Sequence, residues 1–430
     1  MVERNFKHTE IGLIPEDWEL VRIGDSFQFK NGLNKEKTFF GYGFPIVNYM
    51  DVFKYTFITS DIKGKVFLSK QELRNFEVTK GDVLFTRTSE TQEEIGYSSV
   101  VVEELKDTVF SGFVLRARPF NNLFDIKFCG YVFSNRIVRE QIISNATYTT
   151  RALTNGRVLS DVKIPLPPLP EQQAIAETLT HTDEWVESLE KLITKKRLIK
   201  QGAMQKLLTP NKAWKVRKLR EVGKTYGGLS GKTKQDFGTG NAFYLPFLNI
   251  INNVTINENF IEKVNLKQGE LQNRVLKNDL LFNGSSETPE ELGISSVLLN
   301  DIENLYLNSF CFGFRIFDDE TNSLFLSYLM RSPYGRNAIF FLAQGATRYN
   351  LSKSNFLELE ISFPSIDEQI YVANILSDMD SEIEVLEQKL AKAKQIKEGM
   401  MQELLTGRIR LIESSNQSRN HKLKKAIVNM

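Results

Sequence analysis

Cysteine is nearly absent: Cys129 and Cys311 are the only two in 430 residues, and neither has a CxxC neighbour. Disulfide frameworks and zinc ribbons are thereby excluded. Histidine is as scarce, with His8, His181 and His421 too scattered for a metal cluster. No apolar run approaches the ~20 residues that a membrane span needs. The opening MVERNFKHTEIG lacks the apolar stretch of a secretory signal. A bacterial or archaeal cytoplasm is the expected location. Charge of one sign is lacking too: 55 basic and 53 acidic residues leave a net +2. Any contact with nucleic acid must therefore come from local clusters and not from a global field.

What the chain has is a duplication. The run VTKGDVLFTRTSETQEEIGYSSVV from Val78 returns without a gap as VLKNDLLFNGSSETPEELGISSVL from Val275. The same shift aligns Glu171-Gln172 with Glu368-Gln369 and Leu207-Leu208-Thr209 with Leu404-Leu405-Thr406. A unit of this size is too long for a solenoid repeat and predicts two similar domains, each followed by the same kind of helix. Within each copy, short strand-like runs are punctuated by Gly, Asn and Pro, with more helical stretches near 127–143 and 323–343. The fold class expected is α+β. The boundaries expected are 1–165 and 210–365 for the two mixed domains, 166–209 and 366–407 for the helices, and 408–430 for a basic tail.

Each helix is announced by proline. IPLPPLP ends before Glu171, and Pro364 and Asp367 play the same part in the second copy. Apolar residues then recur at 4-3 spacing: Val372, Leu376, Met379, Ile383, Leu386, Leu390 and Ala393, with Ile175, Leu179, Val186, Leu189 and Ile193 in the first copy. This is a coiled-coil pattern. Residues 171–190 carry six acidic and no basic side chains, and 191–206 six basic and no acidic. Residues 368–387 again carry six acidic and no basic ones, whereas 388–405 carry four Lys and two Glu. An antiparallel pair sets each acidic half against the partner's more basic half, and small pair energies suffice to choose between orientations. The expected body is pseudo-twofold, two similar heads on an antiparallel rod, a form suited to a bipartite ligand.

The opening IGLIPEDWELVRIGD, the run GDVLFTRTSET, the IPLPPLPEQQAIA junction and the QKLLT and QELLTG helix ends resemble the specificity subunits of type I restriction–modification systems. The resemblance spans nearly the whole chain, ending at about Arg410. It implies two target recognition domains, each reading half of a split site on double-stranded DNA. It also implies two conserved helices that bind two methyltransferase subunits, in a complex that recruits restriction subunits. Catalysis would lie in those partners, with S-adenosylmethionine, ATP and Mg there and no cofactor in this chain. Glu171, Gln172, Glu368 and Gln369, at the helix starts, are the expected partner contacts.

No adenine-methylase [DN]PP[YF] site, HExxH or Ser/His/Asp arrangement is present. The run from Tyr226 to Thr233 has Tyr where a phosphate-binding loop requires its first Gly, and loop-like sequence follows it. Glu90, Glu93 and Glu94, repeated as Glu287, Glu290 and Glu291, lack a paired Asp and read as structural or partner residues. Asp82 and Asp279 read as turn residues. Base edges call for bidentate donors and phosphates for cations. The DNA-reading residues expected are Tyr148, Thr149 and Arg151 with Arg87 and Thr88 in the first copy. In the second they are Arg348, Tyr349 and Asn350 with Asn283. Lys35, Lys37, Lys232 and Lys234 are expected on phosphates. The alternative that shares this architecture is an adaptor with two protein-binding heads and no affinity for DNA.

Overall fold

A computed structural model describes residues 5–148, 150–343, 345 and 348–412. Thr149 and most of the basic tail, 413–430, lie outside the described residues. The chain forms two compact units, residues 1–189 with 389–430, and residues 190–388.

In the first unit a five-stranded sheet has the order Phe27–Asn31, Val114–Pro119, Val83–Thr86, Ser98–Val101, Phe57–Ile58. All pairs are antiparallel except the last. The second unit repeats the arrangement with Gly223–Gly227, Cys311–Ile316, Leu280–Asn283 and Ser295–Val297, all antiparallel. A parallel bridge between Thr255 and Val297 stands where the fifth strand would be. In both units the central strand is buried along its whole length, Val83–Thr86 and Leu280–Asn283. That burial explains its continuous apolar sequence in place of an alternating one.

Asp82 and Asp279 start these strands, and each does more than turn the chain. Asp82 accepts from Thr79 N at 2.8 Å and takes a bidentate pair from Arg118 at 2.7 and 2.8 Å. Asp279 does the same with Leu276 N and Arg315, and also accepts from Tyr226 Oη at 2.6 Å. The residue before each aspartate has positive φ, 89° at Gly81 and 67° at Asn278, which Gly and Asn tolerate best.

A helical hairpin, Ile126–Val132 and Arg136–Ser144, covers the first sheet; Ser323–Arg331 and Pro333–Phe340 cover the second. The strand that ends each globular domain pairs antiparallel with one near the domain's start, Lys163–Leu166 with Glu19–Arg22 and Glu360–Phe363 with Lys215–Lys218. It runs directly into a long helix, Leu169–Leu207 or Ile366–Leu404, each of 39 residues.

Within each unit the two helices meet antiparallel, as the charge pattern requires. In the first unit Asp183 faces Lys397 at 2.5 Å and Thr182 faces Met400. In the second, Lys196 pairs with Glu382 at 2.6 Å, Arg197 with Glu387 at 2.6 Å, and Lys200 with Asp380. The helix starts enter the domain cores: Ile175, Ala176 and Leu179 in the first, Val372, Ala373 and Leu376 in the second.

Candidate nucleic-acid interface

The positions singled out in the sequence lie some 60 residues apart, and the fold brings them together in each unit. In the first, the central strand ends at Arg87, whose N–H donates to Phe113 O and whose carbonyl accepts from Thr154 N, both at 3.0 Å. The chain continues as Thr88–Ser89, which pairs with Ala152–Leu153, which pairs in turn with Thr147–Tyr148. Arg87, Thr88, Tyr148 and Arg151 thus share one small three-stranded patch. Tyr148 is half exposed, and Arg151 reaches across the patch to Glu90 at 2.9 Å. Among the described residues the Arg87 guanidinium has no hydrogen-bond or ion-pair partner.

Among the described residues the second unit repeats the two-strand part of this patch with other side chains. Gly284 N donates to Phe310 O at 3.0 Å, and Ser285–Ser286 pairs with Tyr349–Asn350. Arg348 Nε donates to Ser285 Oγ at 2.9 Å while its guanidinium lies 5.1 Å from the centroid of Phe310. Asn350 is exposed and Tyr349 partly so.

Two acidic side chains, Glu94 and Glu291, are held within this loop. Ser89 Oγ donates to Glu94 Oε2 at 3.2 Å and accepts from Thr91 N; Ser286, Glu291 and Thr288 repeat this. From behind, Arg139 donates to the Glu93 carbonyl, and Arg336 to those of Glu290 and Leu292. Among the described residues both arginines keep a buried guanidinium nitrogen without a hydrogen-bond partner, Nη1 in each case. Burial lowers the affinity of these guanidiniums for their proton. Among the described residues, no group of three or more His, Cys, Asp or Glu could hold a metal ion. Both cysteines are buried, and burial pushes the Cys311 thiol up to about 12, far from the thiolate that a nucleophile requires.

Several expected contacts are engaged inside the fold instead. Asn283 is fully buried, donating to Glu291 O at 2.8 Å and accepting from Ser285 N at 3.1 Å, so it shapes the loop and presents nothing to a base. Lys35 bonds Glu72 at 3.0 Å and Phe67 O at 2.9 Å. Lys232 bonds Glu270 at 2.5 Å and Asn265 O at 2.8 Å, with only 4% of its side chain exposed. The Lys232 ammonium holds the Glu270 carboxyl down at about 2. A lysine so paired has no free charge for a phosphate, whereas Lys37 and Lys234 are exposed.

The junction residues are corrected most sharply. Gln172 is 1% exposed; its amide donates to Leu123 O and Pro167 O, both at 2.9 Å, and accepts from Asp125 N at 2.8 Å. Gln369 makes the same three bonds, to Glu320 O, Pro364 O and Asn322 N. In both units this glutamine fastens the long helix to the start of the helical hairpin, where Asp125 and Asn322 are the N-caps. Glu171 accepts from Trp18 Nε1 at 3.0 Å and from Arg410 at 2.5 and 2.6 Å. Arg410 also grips Asp17 through two bonds of 2.8 Å. These three residues are internal fasteners and not partner contacts. Glu368 alone of the four is exposed, and the indole N–H of Trp214, the repeat counterpart of Trp18, is buried without a hydrogen-bond partner among the described residues.

A second fastener escaped the sequence reading. Tyr131 Oη donates to Asp183 at 2.8 Å, and Asp183 pairs with Lys397. Tyr328 Oη donates to Asp380 at 2.7 Å, and Asp380 pairs with Lys200. Each triad joins the domain's hairpin to both long helices. The signal was present, because all three residue types recur at the repeat shift.

The comparisons with known proteins agree with this geometry. A family model described as type I restriction modification DNA specificity domain matches twice, over residues 15–200 and 211–395. The type I restriction enzyme MjaVIII specificity subunit of Methanocaldococcus jannaschii is 26% identical over 95% of this chain and 97% of its own. The fold is shared with the S subunit of a type I restriction-modification system from M. genitalium, at TM-score 0.57, 16% identity and coverage of 94% and 97%. A chain from a structure of the assembly and conformational transition of the type I R-M system aligns at the same TM-score and identity, over 92% and 99%. Two matched domains on one continuous duplication, each with its own helix, leave one assignment: the chain belongs to the type I restriction–modification DNA specificity family and is a non-catalytic specificity subunit.

Proposed function

We propose that each unit reads one half of a split target on double-stranded DNA, and that the long helices dock methyltransferase and restriction subunits. The carrying observation is the paired patch: the same two-strand pairing carries Arg87, Thr88 and Arg151 in one unit and Arg348, Tyr349 and Asn350 in the other, with Tyr148 on a third strand of the first. A common frame with different donors is what two readers of different half-sites need. Lys37 and Lys234 are the phosphate contacts in this reading. S-adenosylmethionine, ATP and Mg belong to the partner subunits. For docking, Gly202 and Gly399 support the reading, since a Cβ at either would meet nothing within 4 Å. A glycine inside a helix lowers its stability by about 1 kcal/mol relative to alanine, so these two open positions, near the helix C-termini, suit the close approach of another chain.

The test adds a methyltransferase subunit and S-adenosylmethionine to the purified chain and maps the methylated adenines on genomic DNA. Arg348→Ala and Asn350→Ala should relax one half of the recognised sequence and Arg151→Ala the other, each by ~1–3 kcal/mol of discrimination. Methyl transfer by the chain alone would overturn the proposal. So would binding that is insensitive to salt and sequence, the behaviour of an adaptor.

A further inference from the structure

Phe113 and Phe310 hold the same place in the two repeats, and both are more than half exposed, at 59% and 53%. Each immediately precedes the strand beside the central one, Val114–Pro119 or Cys311–Ile316, and its carbonyl ties it to the end of the central strand, at Arg87 N or Gly284 N, 3.0 Å in both units. In the first unit Phe113 and Arg151 line a common hollow of about 370 Å³ with Thr88, Ser89 and Glu90. In the second, Arg348 lies 5.1 Å over the Phe310 ring and is fixed there by Ser285. A phenylalanine more than half exposed beside an arginine, at the same place in both repeats, is not what packing of the domain core requires.

We infer that Phe113 and Phe310 are base-reading residues, each presenting its ring to the 5-methyl group of a thymine in its own half-site. The inference rests on the DNA-reading function proposed above. An aromatic ring at a DNA surface can wedge between base steps or touch a thymine methyl in the major groove. Only a ring inserted fully between two bases uses both faces, and Arg348 lies over one face of Phe310. The free face and edge suit a methyl group, with Arg348 beside it for the hydrogen-bonding edge of a neighbouring base. Because the two phenylalanines are identical and identically placed, both half-sites should carry a thymine–adenine pair at the matching position. The surrounding donors differ and read the rest.

The experiment selects a randomised duplex library on the full chain assembled with a methyltransferase subunit, then measures the selected duplex with single thymines replaced by deoxyuridine. The wild type should show a thymine in each half-site whose replacement weakens binding by about fivefold or more. Phe310→Ala should bind the selected duplex about tenfold more weakly and be insensitive to uracil in one half-site; Phe113→Ala should be insensitive in the other. Both side chains are exposed, so thermal unfolding of the variants should match the wild type. Equal uracil sensitivity in wild type and variants, or an unchanged consensus in Phe310→Ala, overturns the inference while leaving the two-reader function standing. A wild type that selects no sequence overturns the function itself.

Discussion

Replacing Tyr328 by Phe deletes one hydroxyl and leaves the ring packing of a residue that is 1% exposed. The hydroxyl donates to Asp380 at 2.7 Å, and a hydrogen bond to a charged group contributes ~1.5–3 kcal/mol. The Asp380 side chain is 37% exposed, so water can replace part of the lost bond, and ~1–2 kcal/mol is expected. Asp380→Ala should cost more, ~2–3 kcal/mol, because it strands a buried phenol without an acceptor and removes the Lys200 partner. The assay is hydrogen exchange in peptides spanning Ser323–Arg331 and the start of the second long helix, compared with the matching peptides of the first unit. Protection should fall in the second unit alone; Tyr131→Phe should do the converse. The double variant Tyr328→Phe/Asp380→Ala should be less destabilised than the sum of the singles, since the two changes remove one shared bond. The alkaline limb gives a second reading. Burial, and then the bond to Asp380, raise the Tyr328 pKa above its ordinary value of 10. The folded chain therefore keeps a proton that the unfolded chain loses, and stability falls as pH rises past about 10. Tyr328→Phe removes that share of the fall. If Tyr328→Phe changes neither local protection nor the alkaline slope, the triads do not fasten the domains to their helices.

Arg410→Ala should destabilise the first unit by about 3 kcal/mol by leaving the buried Glu171 carboxylate with only the Trp18 indole, as checked by denaturant unfolding. The Arg410 hydrogen bonds hold the Asp17 carboxyl below its ordinary value, so their stabilisation is present above about pH 4 and lost as pH falls through the depressed value; acid titration of Arg410→Ala should lack that loss. Gly202→Ala and Gly399→Ala should each raise the stability of the isolated chain by ~0.5–1 kcal/mol while weakening its assembly with a methyltransferase subunit, measured by calorimetry. Lys232→Ala should lower stability and leave the salt dependence of DNA binding unchanged, whereas Lys234→Ala should reduce the slope of log K against log salt by about 1.

The sequence by itself determined the large features. Duplication counted the domains, the 4-3 apolar spacing set the long helices, and the acidic and basic halves chose their antiparallel pairing. Each of these is a property of many residues at once, so no single environment could reverse it. The paired patch was half legible: residue type singled out Arg87, Tyr148, Arg151 and Arg348, but their meeting depends on strand pairing between segments some 60 residues apart. What only the tertiary structure decided was the fate of individual polar groups. Gln172 and Gln369 looked like exposed helix-start residues and prove to be buried fasteners, because orphan carbonyls and amides at the domain junction need partners. Lys232 looked like a phosphate contact and is held by Glu270, from a loop 38 residues away. A residue type gives the bonds a side chain can make; which of them it makes is fixed by whatever the fold sets within about 3 Å of it.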